Sequence, residues 1–139
     1  MGGNYAPHFR AYNKGKASVT LNLRDEADLA HLRSLLETAD VLVENFRTGV
    51  MEKYGVGYED IKARYPRLVY CSISGYGREG SQARRAAYDP VVQAESGQMA
   101  TNGSTESGPM RTGLAVTDTQ TGHYAVQAIL AALFARERA

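Results

Sequence analysis

Two short apolar runs with helical patterns between them place the strongest constraint on how this chain can fold. Residues 41–43 (VLV) and 68–73 (LVYCSI) are continuous apolar runs, which are typical of strands covered on both faces. Alternating polar and apolar side chains before the first run predict another, half-buried strand. We therefore expect strands near residues 17–23, 41–44 and 68–74, with helices between them. This order predicts an α/β fold with an open, mainly parallel sheet and flanking helices.

The region after the third predicted strand divides into a loop, a helical stretch and a long helix. Residues 75–87 are rich in Gly and Arg and have no apolar periodicity, so we expect a loop at a strand end, where such sheets form their sites. A helical stretch is predicted near residues 91–99. An amphipathic helix is predicted over residues 119–138, because apolar side chains recur there at i, i+3, i+4 and i+7: Val126, Ile129, Leu130 and Leu133.

Charge and composition exclude several classes of protein. The 139 residues carry 16 Lys and Arg against 15 Asp and Glu, a formal charge of +1, so the chain lacks the basic field of a general nucleic-acid binder. No apolar run approaches the roughly 20 residues needed to cross a bilayer. The single cysteine forms no disulfide framework, and no Cys/His spacing suits a structural zinc site. We expect a soluble, cytoplasmic protein without a metal ion.

One local charge bias lies at the N-terminus. Residues 1–24 contain Arg10, Lys14, Lys16 and Arg24 and no acidic residue. Such a segment suits an anionic ligand, although a solvated arm carries the same charges. Both interpretations stay open on charge alone.

The loop GYGREG, at residues 75–80, matches the G-x-G-x-x-G pattern of dinucleotide-binding proteins. In that pattern the glycines open a helix with an apolar stripe, whereas the residues that follow here have no stripe and soon reach Pro90. We therefore expect only a sharp turn. Tyr76 and Tyr88 flank the loop, where they can stack on a flat ligand or fill the edge of the core.

Asp118 is the most informative carboxylate in the sequence. It lies between residues 114–116 (LAV) and the final helix, so its side chain can act as the helix N-cap by accepting an N–H from Gln120 or Thr121. A carboxylate at a helix N-terminus is also held ionised by the helix dipole, as a carboxylate nucleophile requires. The pattern leaves the structural and the catalytic interpretation open.

Several segments taken together resemble the family III coenzyme A transferases, which include formyl-CoA and carnitine-type CoA transferases and related 2-methylacyl-CoA racemases. The matching segments follow the family's order and cover nearly the whole chain. They are residues 13–23 (NKGKASVTLNL), 39–47 (ADVLVENFR), 66–77 (PRLVYCSISGYG), 87–89 (AYD) with 96–97 (SG), and 118–122 (DTQTG).

The resemblance implies a mechanism and a set of site residues. In this family an aspartate carboxylate attacks the thioester of a donor acyl-CoA, and CoA passes through an aspartyl thioester to an acceptor carboxylic acid; the matching residue is Asp118. Backbone N–H groups at the start of the final helix are candidates to stabilise the tetrahedral oxygen. Motif position, charge and stacking together give the predicted CoA-binding residues Asn45, Lys53, Lys14, Lys16 and Tyr88.

The racemase branch of the family differs at one position. Its members carry a His thirty residues before the aspartate as the second acid/base group, and 118 minus 30 gives Tyr88 in this chain. A tyrosine with its unperturbed pKa of about 10 is a poor base near neutral pH. The resemblance therefore favours a transferase, with a racemase relative as the alternative.

The resemblance further implies that residues 1–139 are a partial large domain of such a transferase. The segments without a match are the family's first βαβ unit and its smaller C-terminal domain. Two classes of function stay open: a CoA transferase, or part of one, acting on an acyl-CoA and a carboxylic acid, and a catalytically silent remnant that folds and self-associates. We expect a homo-oligomer, because an open sheet edge and uncovered apolar faces must be buried somewhere.

Overall fold

Helices and strands alternate in the first half of the chain, and helices dominate the second half. The structure, a computed structural model, describes residues 6–138. The elements in chain order are α1 (Pro7–Tyr12), α2 (Glu26–Leu36), β1 (Val41–Glu44), α3 (Val50–Lys53), α4 (Tyr58–Ile61), β2 (Val69–Ser72), α5 (Asp89–Glu95), α6 (Gln98–Thr101) and α7 (Val116–Arg136).

The sheet consists of β1 and β2, which pair in parallel with Val41 opposite Val69 and Glu44 opposite Ser72. Half-buried apolar side chains of both strands, including Leu42, pack against a core that α2, α3 and α4 supply with the segments between them. The buried members of that core are Leu36, Met51, Val56, Ile61 and Tyr65. This parallel pairing with helical connections confirms the predicted α/β fold.

The strand predicted at residues 17–23 is wrong. Residues 16–22 have no regular secondary structure, and only Leu21 and Leu23 in this segment are half-buried. A strand needs a neighbouring strand to take up its backbone hydrogen bonds, and within residues 6–138 the sheet contains β1 and β2 alone. Alternation in the sequence indicates a half-buried face, but it does not supply that neighbour.

The predicted helices form with shifted ends. Helix α2 lies between the first two predicted strand positions, where a helix was expected, and it begins at Glu26 because the Asp25 carboxylate accepts the N–H groups of Ala27 and Asp28. The stretch predicted at residues 91–99 is divided into α5 and α6 by Gly97, whose φ of +80° no helix interior permits. Residues 75–87 form a loop, as predicted.

Helix α7 begins and ends a few residues earlier than predicted. Only part of its predicted apolar stripe is half-buried, and the rest is exposed. Ile129 and Leu133 are half-buried, whereas Val126 and Leu130 are 55% and 60% exposed. The helix contacts β2 and α5. No helix within residues 6–138 has both the length and the apolar character needed to cross a membrane.

Arg136 fixes the C-terminal end of α7 beside the start of both strands. Its guanidinium donates to the Asp40 carboxylate and to the Arg67 carbonyl, each at 2.8 Å, and these residues lie just before β1 and β2. Helix α7 therefore runs opposite to the strands. Its N-terminal end lies toward the edge of the sheet where both strands end.

Candidate active site

A cleft opens at the carboxyl ends of β1 and β2. Its volume is about 560 Å³, within the roughly 300–1,000 Å³ of small-molecule sites. The residues that line it follow β1 (45–48), follow β2 (73–75), lie at the end of the Gly/Arg loop (within 83–88), in α5 (Val92) and at the start of α7 (within 117–122). Parallel sheets place their ligands at this edge, so the cleft is the candidate active site.

Asp118 lines the cleft from the first turn of α7. The predicted N-cap role is wrong, because the helix already begins at Val116 and Asp118 lies within it. Ala115 occupies the N-cap position and makes no side-chain capping bond. Since the Asp118 carboxylate is not engaged in capping, it is open to the cleft.

The cap of α7 comes from Asp89, on the first turn of α5. Its Oδ1 accepts the Thr117 N–H at 2.8 Å, the Asp118 N–H at 3.3 Å and the Thr117 hydroxyl. Asp89 is buried, at 7% exposure. The carboxylate that satisfies the start of this helix therefore lies 29 residues before Asp118 in the chain and not beside it.

The remaining N–H groups at the start of α7 are engaged as well. The Val116 N–H donates to the Leu114 carbonyl at 2.8 Å, and the Thr119 N–H donates to the Ala115 carbonyl at 3.0 Å. The prediction that these N–H groups bind an oxyanion is therefore wrong for this conformation, because each already has an acceptor.

The two carboxyl groups have pKa values shifted in opposite directions. Partial burial, and then the negative charge of Asp89, raise the pKa of Asp118 above its ordinary value. The net shift is therefore opposite in direction to the one that the helix dipole alone would cause. Burial alone would raise the pKa of Asp89 too, but hydrogen bonds from Thr117, Asp118 and Gln93 outweigh it and lower that pKa.

Two of the predicted CoA-binding residues line the cleft with Asp118. Asn45 follows β1, and its side-chain amide donates to the Ile73 carbonyl at 2.8 Å, which ties the ends of the two strands together. Tyr88 is 72% exposed, lies directly before α5 and lines the cleft. The structure thus brings Asn45, Tyr88 and Asp118 together.

The three predicted lysines do not line this cleft. Lys14 and Lys16 are exposed in the segment after α1, and Lys53 ends α3 with its ammonium 5.7 Å from the centre of the Tyr54 ring. Their assignment as CoA contacts stays a prediction.

Two arginines that the sequence analysis did not single out line the cleft instead. Arg85 is held by Glu95, with an N–O distance of 2.5 Å, and its guanidinium lies 4.7 Å from the centre of the Tyr76 ring. The Arg47 side chain has no hydrogen-bond or ion-pair partner among residues 6–138. Two signals could have indicated Arg47: its position shortly after a predicted strand, and its place at the end of the matching segment 39–47.

A buried ion pair anchors the Gly/Arg loop to the sheet. The Glu44 carboxylate, 5% exposed at the end of β1, accepts hydrogen bonds from the Arg78 guanidinium, the Ser72 hydroxyl and, at 2.8 Å, the Phe46 N–H. These contacts fix the loop so that its later residues form one wall of the cleft.

Residues 6–138 contain no cluster of three His, Cys, Asp or Glu side chains that could hold a metal ion.

Comparison with known proteins finds relatives both in sequence and in solved structures. The chain is 44% identical over 128 residues to the succinate–glutarate CoA-transferase of Agrobacterium fabrum, covering 92% of this chain and 32% of that protein. It is 43% identical over 137 residues to the acetyl-CoA:oxalate CoA-transferase of Acetobacter aceti, covering 98% and 35%. A CaiB/BaiF family protein from Brucella suis superposes with a TM-score of 0.86 at 44% identity, over 89% of this chain and 33% of that one.

Residues 2–139 match CoA-transferase family III. The α/β fold is shared with a solved CaiB/BaiF family protein, and the chain belongs to CoA-transferase family III. It spans about a third of the length of the curated relatives it matches. The predicted family is thereby confirmed.

Gly75 provides a test of how the cleft wall is built. A Cβ at this position would lie 2.0 Å from the Cβ of Ala87, so the two ends of the Gly/Arg loop approach closely only because Gly75 has no side chain. We expect Gly75→Ala to lower the free energy of unfolding by about 1–3 kcal/mol, measured by urea denaturation.

Gly122→Ala is the matched control, because Gly122 also lines the cleft but a Cβ there meets no atom within 4 Å. In the interior of α7 this change should raise stability by about 0.5–1 kcal/mol. Equal effects of the two substitutions would contradict the close approach.

Proposed function

We propose that this chain carries the nucleophile of a CoA transferase, which moves CoA from an acyl-CoA thioester to a carboxylic acid. The observation that carries the proposal is the position of Asp118: its carboxylate is free of capping bonds and lines a cleft at the carboxyl edge of a parallel sheet. Membership of CoA-transferase family III supports the reaction type. Several relatives are transferases of dicarboxylic acids, which favours a small dicarboxylate as acceptor.

The chemistry uses the carboxylate twice. An Asp118 oxygen attacks the donor thioester carbonyl, a C–O bond forms, and the C–S bond breaks to release CoA thiolate and leave a mixed anhydride. The thiolate then attacks the aspartyl carbonyl and displaces the donor acid, which leaves an aspartyl-CoA thioester. The acceptor carboxylate runs the same steps in reverse, so each intermediate remains an activated acyl group.

The positively charged side chains that line the cleft can bind the negatively charged carboxylates and phosphates of the substrates. The N–H groups at the start of α7 are engaged, so the unpaired guanidinium of Arg47 is the donor best placed to bind a substrate carboxylate or a CoA phosphate. Lys14, Lys16 and Lys53 stay proposed contacts of the CoA phosphates, supported by their charge and, for Lys53, by motif position. The partial-domain organisation of residues 1–139 and a cytoplasmic location also stay proposals.

Replacement of Asp118 tests the nucleophile. A chimera in which this chain replaces the matching third of the Agrobacterium fabrum transferase supplies the segments that the relatives possess. We expect Asp118→Asn to lower its CoA-transfer rate on the order of 10³-fold or more, because Asn keeps the shape and removes the nucleophile. Hydroxylamine trapping should give a hydroxamate on the Asp118 peptide in the parent only, detected by mass spectrometry.

Glu106→Gln is the control, since Glu106 is exposed in the turn after α6 and its side chain has no partner among the described residues. It should leave transfer unchanged. An Asp118→Asn chimera as fast as the parent, or an adduct on another residue, would contradict the proposed role of Asp118. A chimera that transfers no CoA would support the catalytically silent alternative.

Replacement of Arg47 tests the anion site. We expect Arg47→Gln to raise the Kd for CoA by roughly two- to fivefold at low ionic strength, the size of an exposed ion pair, measured by calorimetry on the chain itself. The difference should shrink as salt is added, because salt screens exposed charges. Arg67→Gln is the matched control, since Arg67 binds Glu137 at the opposite end of α7; an equal effect of both changes would argue against a local site.

We also propose that the chain self-associates through the exposed stripe of α7. Val126, Leu130 and Phe134 recur every four residues and are 55%, 60% and 63% exposed, and such a stripe favours burial against a partner. Leu130→Glu should therefore shift the sedimentation coefficient toward that of a 15.1 kDa monomer. Leu114→Glu, at an 80% exposed residue outside the stripe, should leave it unchanged; a parent chain that is monomeric at all concentrations would refute the proposal.

A further inference from the structure

Asp89 joins the helix that carries Asp118 to the rest of the domain. It lies on α5 and is buried, and one of its oxygens accepts the backbone N–H groups of Thr117 and Asp118 together with the Thr117 hydroxyl. These bonds fix the backbone at Asp118 itself. A small displacement of Asp89 would therefore displace the carboxylate in the cleft.

Asp89 is in turn held by Gln93, one turn further along α5. Gln93 is 1% exposed, and its amide donates to the second oxygen of Asp89 and, at 3.3 Å, to the Leu114 carbonyl. Its Oε1 accepts the Thr112 N–H at 2.9 Å and the Thr112 hydroxyl at 3.2 Å. Two side chains of α5 thus bind the whole segment that leads into α7.

We propose that Asp89 is the positioning residue of Asp118: it caps α7 so that Asp118 faces the cleft, and its fixed negative charge makes the Asp118 carboxylate a stronger nucleophile. The inference rests on the proposed function, since it takes Asp118 as the nucleophile. In this inference the Asp89 carboxylate takes part in the function of the site without reacting with substrate. Asp89 acts only through the geometry and the field that it imposes on its neighbour.

The charge part of the inference follows from the surroundings of Asp118. Partial burial, and then the negative charge of Asp89, raise the pKa of Asp118, while the hydrogen bonds to Asp89 lower the pKa of Asp89 itself. A more basic carboxylate is a better nucleophile once it is ionised. The other titratable groups on the elements around Asp118 are Glu95 on α5, Tyr70 and Cys71 on β2, His123, Tyr124 and, at the far end, Arg136 on α7, and Arg47, Arg85 and Tyr88 at the cleft.

The test is Asp89→Asn in the chain itself, because Asn keeps an oxygen acceptor for the N–H groups of α7 and removes the charge. A pH titration of ¹³C-labelled aspartate carboxyls by NMR, with the Asp118 signal assigned from Asp118→Asn, gives the pKa of Asp118. We expect that pKa to fall toward the ordinary value of about 3.9. The rate at which acetyl-CoA forms the hydroxylamine-trapped adduct should fall roughly threefold per unit of that decrease, if the Brønsted slope resembles that of thiolates.

Asp40→Asn is the matched control, since Asp40 binds Arg136 at the other end of α7 and the same substitution there should change neither the pKa of Asp118 nor the adduct rate. An unchanged Asp118 pKa in Asp89→Asn overturns the inference even where the parent forms the adduct. A parent that forms no adduct in the chain or in the chimera overturns the proposed function itself, so the two failures are distinguishable.

If Asp89→Asn does not fold, the inference is tested by the pKa values of Asp118 and Asp89 in the parent chain, measured by the same titration. The inference requires Asp118 to titrate above, and Asp89 below, the ordinary value for aspartate. The reverse order overturns it.

Discussion

The start of helix α7 leaves backbone N–H groups that need acceptors, and the carboxylate that meets two of them comes from another helix. Asp89 on α5 supplies this cap, and Gln93 holds Asp89 while binding the segment before α7. An unsatisfied helix start is costly when it is shielded from water, so these contacts strongly favour one placement of α7. The position of Asp118, and with it the cleft, depends on that placement.

The opposite end of α7 is fixed by a different kind of contact. Arg136 reaches Asp40 and the carbonyl of Arg67, which lie just before the two strands. Exposed ion pairs of this type contribute little to stability singly, but here they set direction. With the helix antiparallel to β1 and β2, its N-terminal end meets the edge where the strands end, and that edge is where parallel sheets assemble sites.

The cleft combines groups from segments that are distant in sequence. Asn45 closes the ends of the two strands, Glu44 anchors the Gly/Arg loop through Arg78, and Gly75 lets the two ends of that loop approach. Together these contacts shape one cleft that is lined by the unpaired guanidinium of Arg47 and by the carboxylate of Asp118, which makes no capping bond. This combination suits the proposed exchange of anionic substrates through a carboxylate nucleophile.

Apolar runs determined β1 and β2, and helical spacing determined α2 and α7, because burial of such patterns is favourable in almost any α/β arrangement. The motif order likewise identified the family, and it predicted Asp118 as the nucleophile. The sequence could not show that residues 17–23 lack a partner strand, that Asp118 lies inside α7, or that Asp89 caps it. Each of these depends on contacts between residues far apart in the chain, so only the tertiary structure decides which backbone groups meet an acceptor and which carboxylate stays free to react.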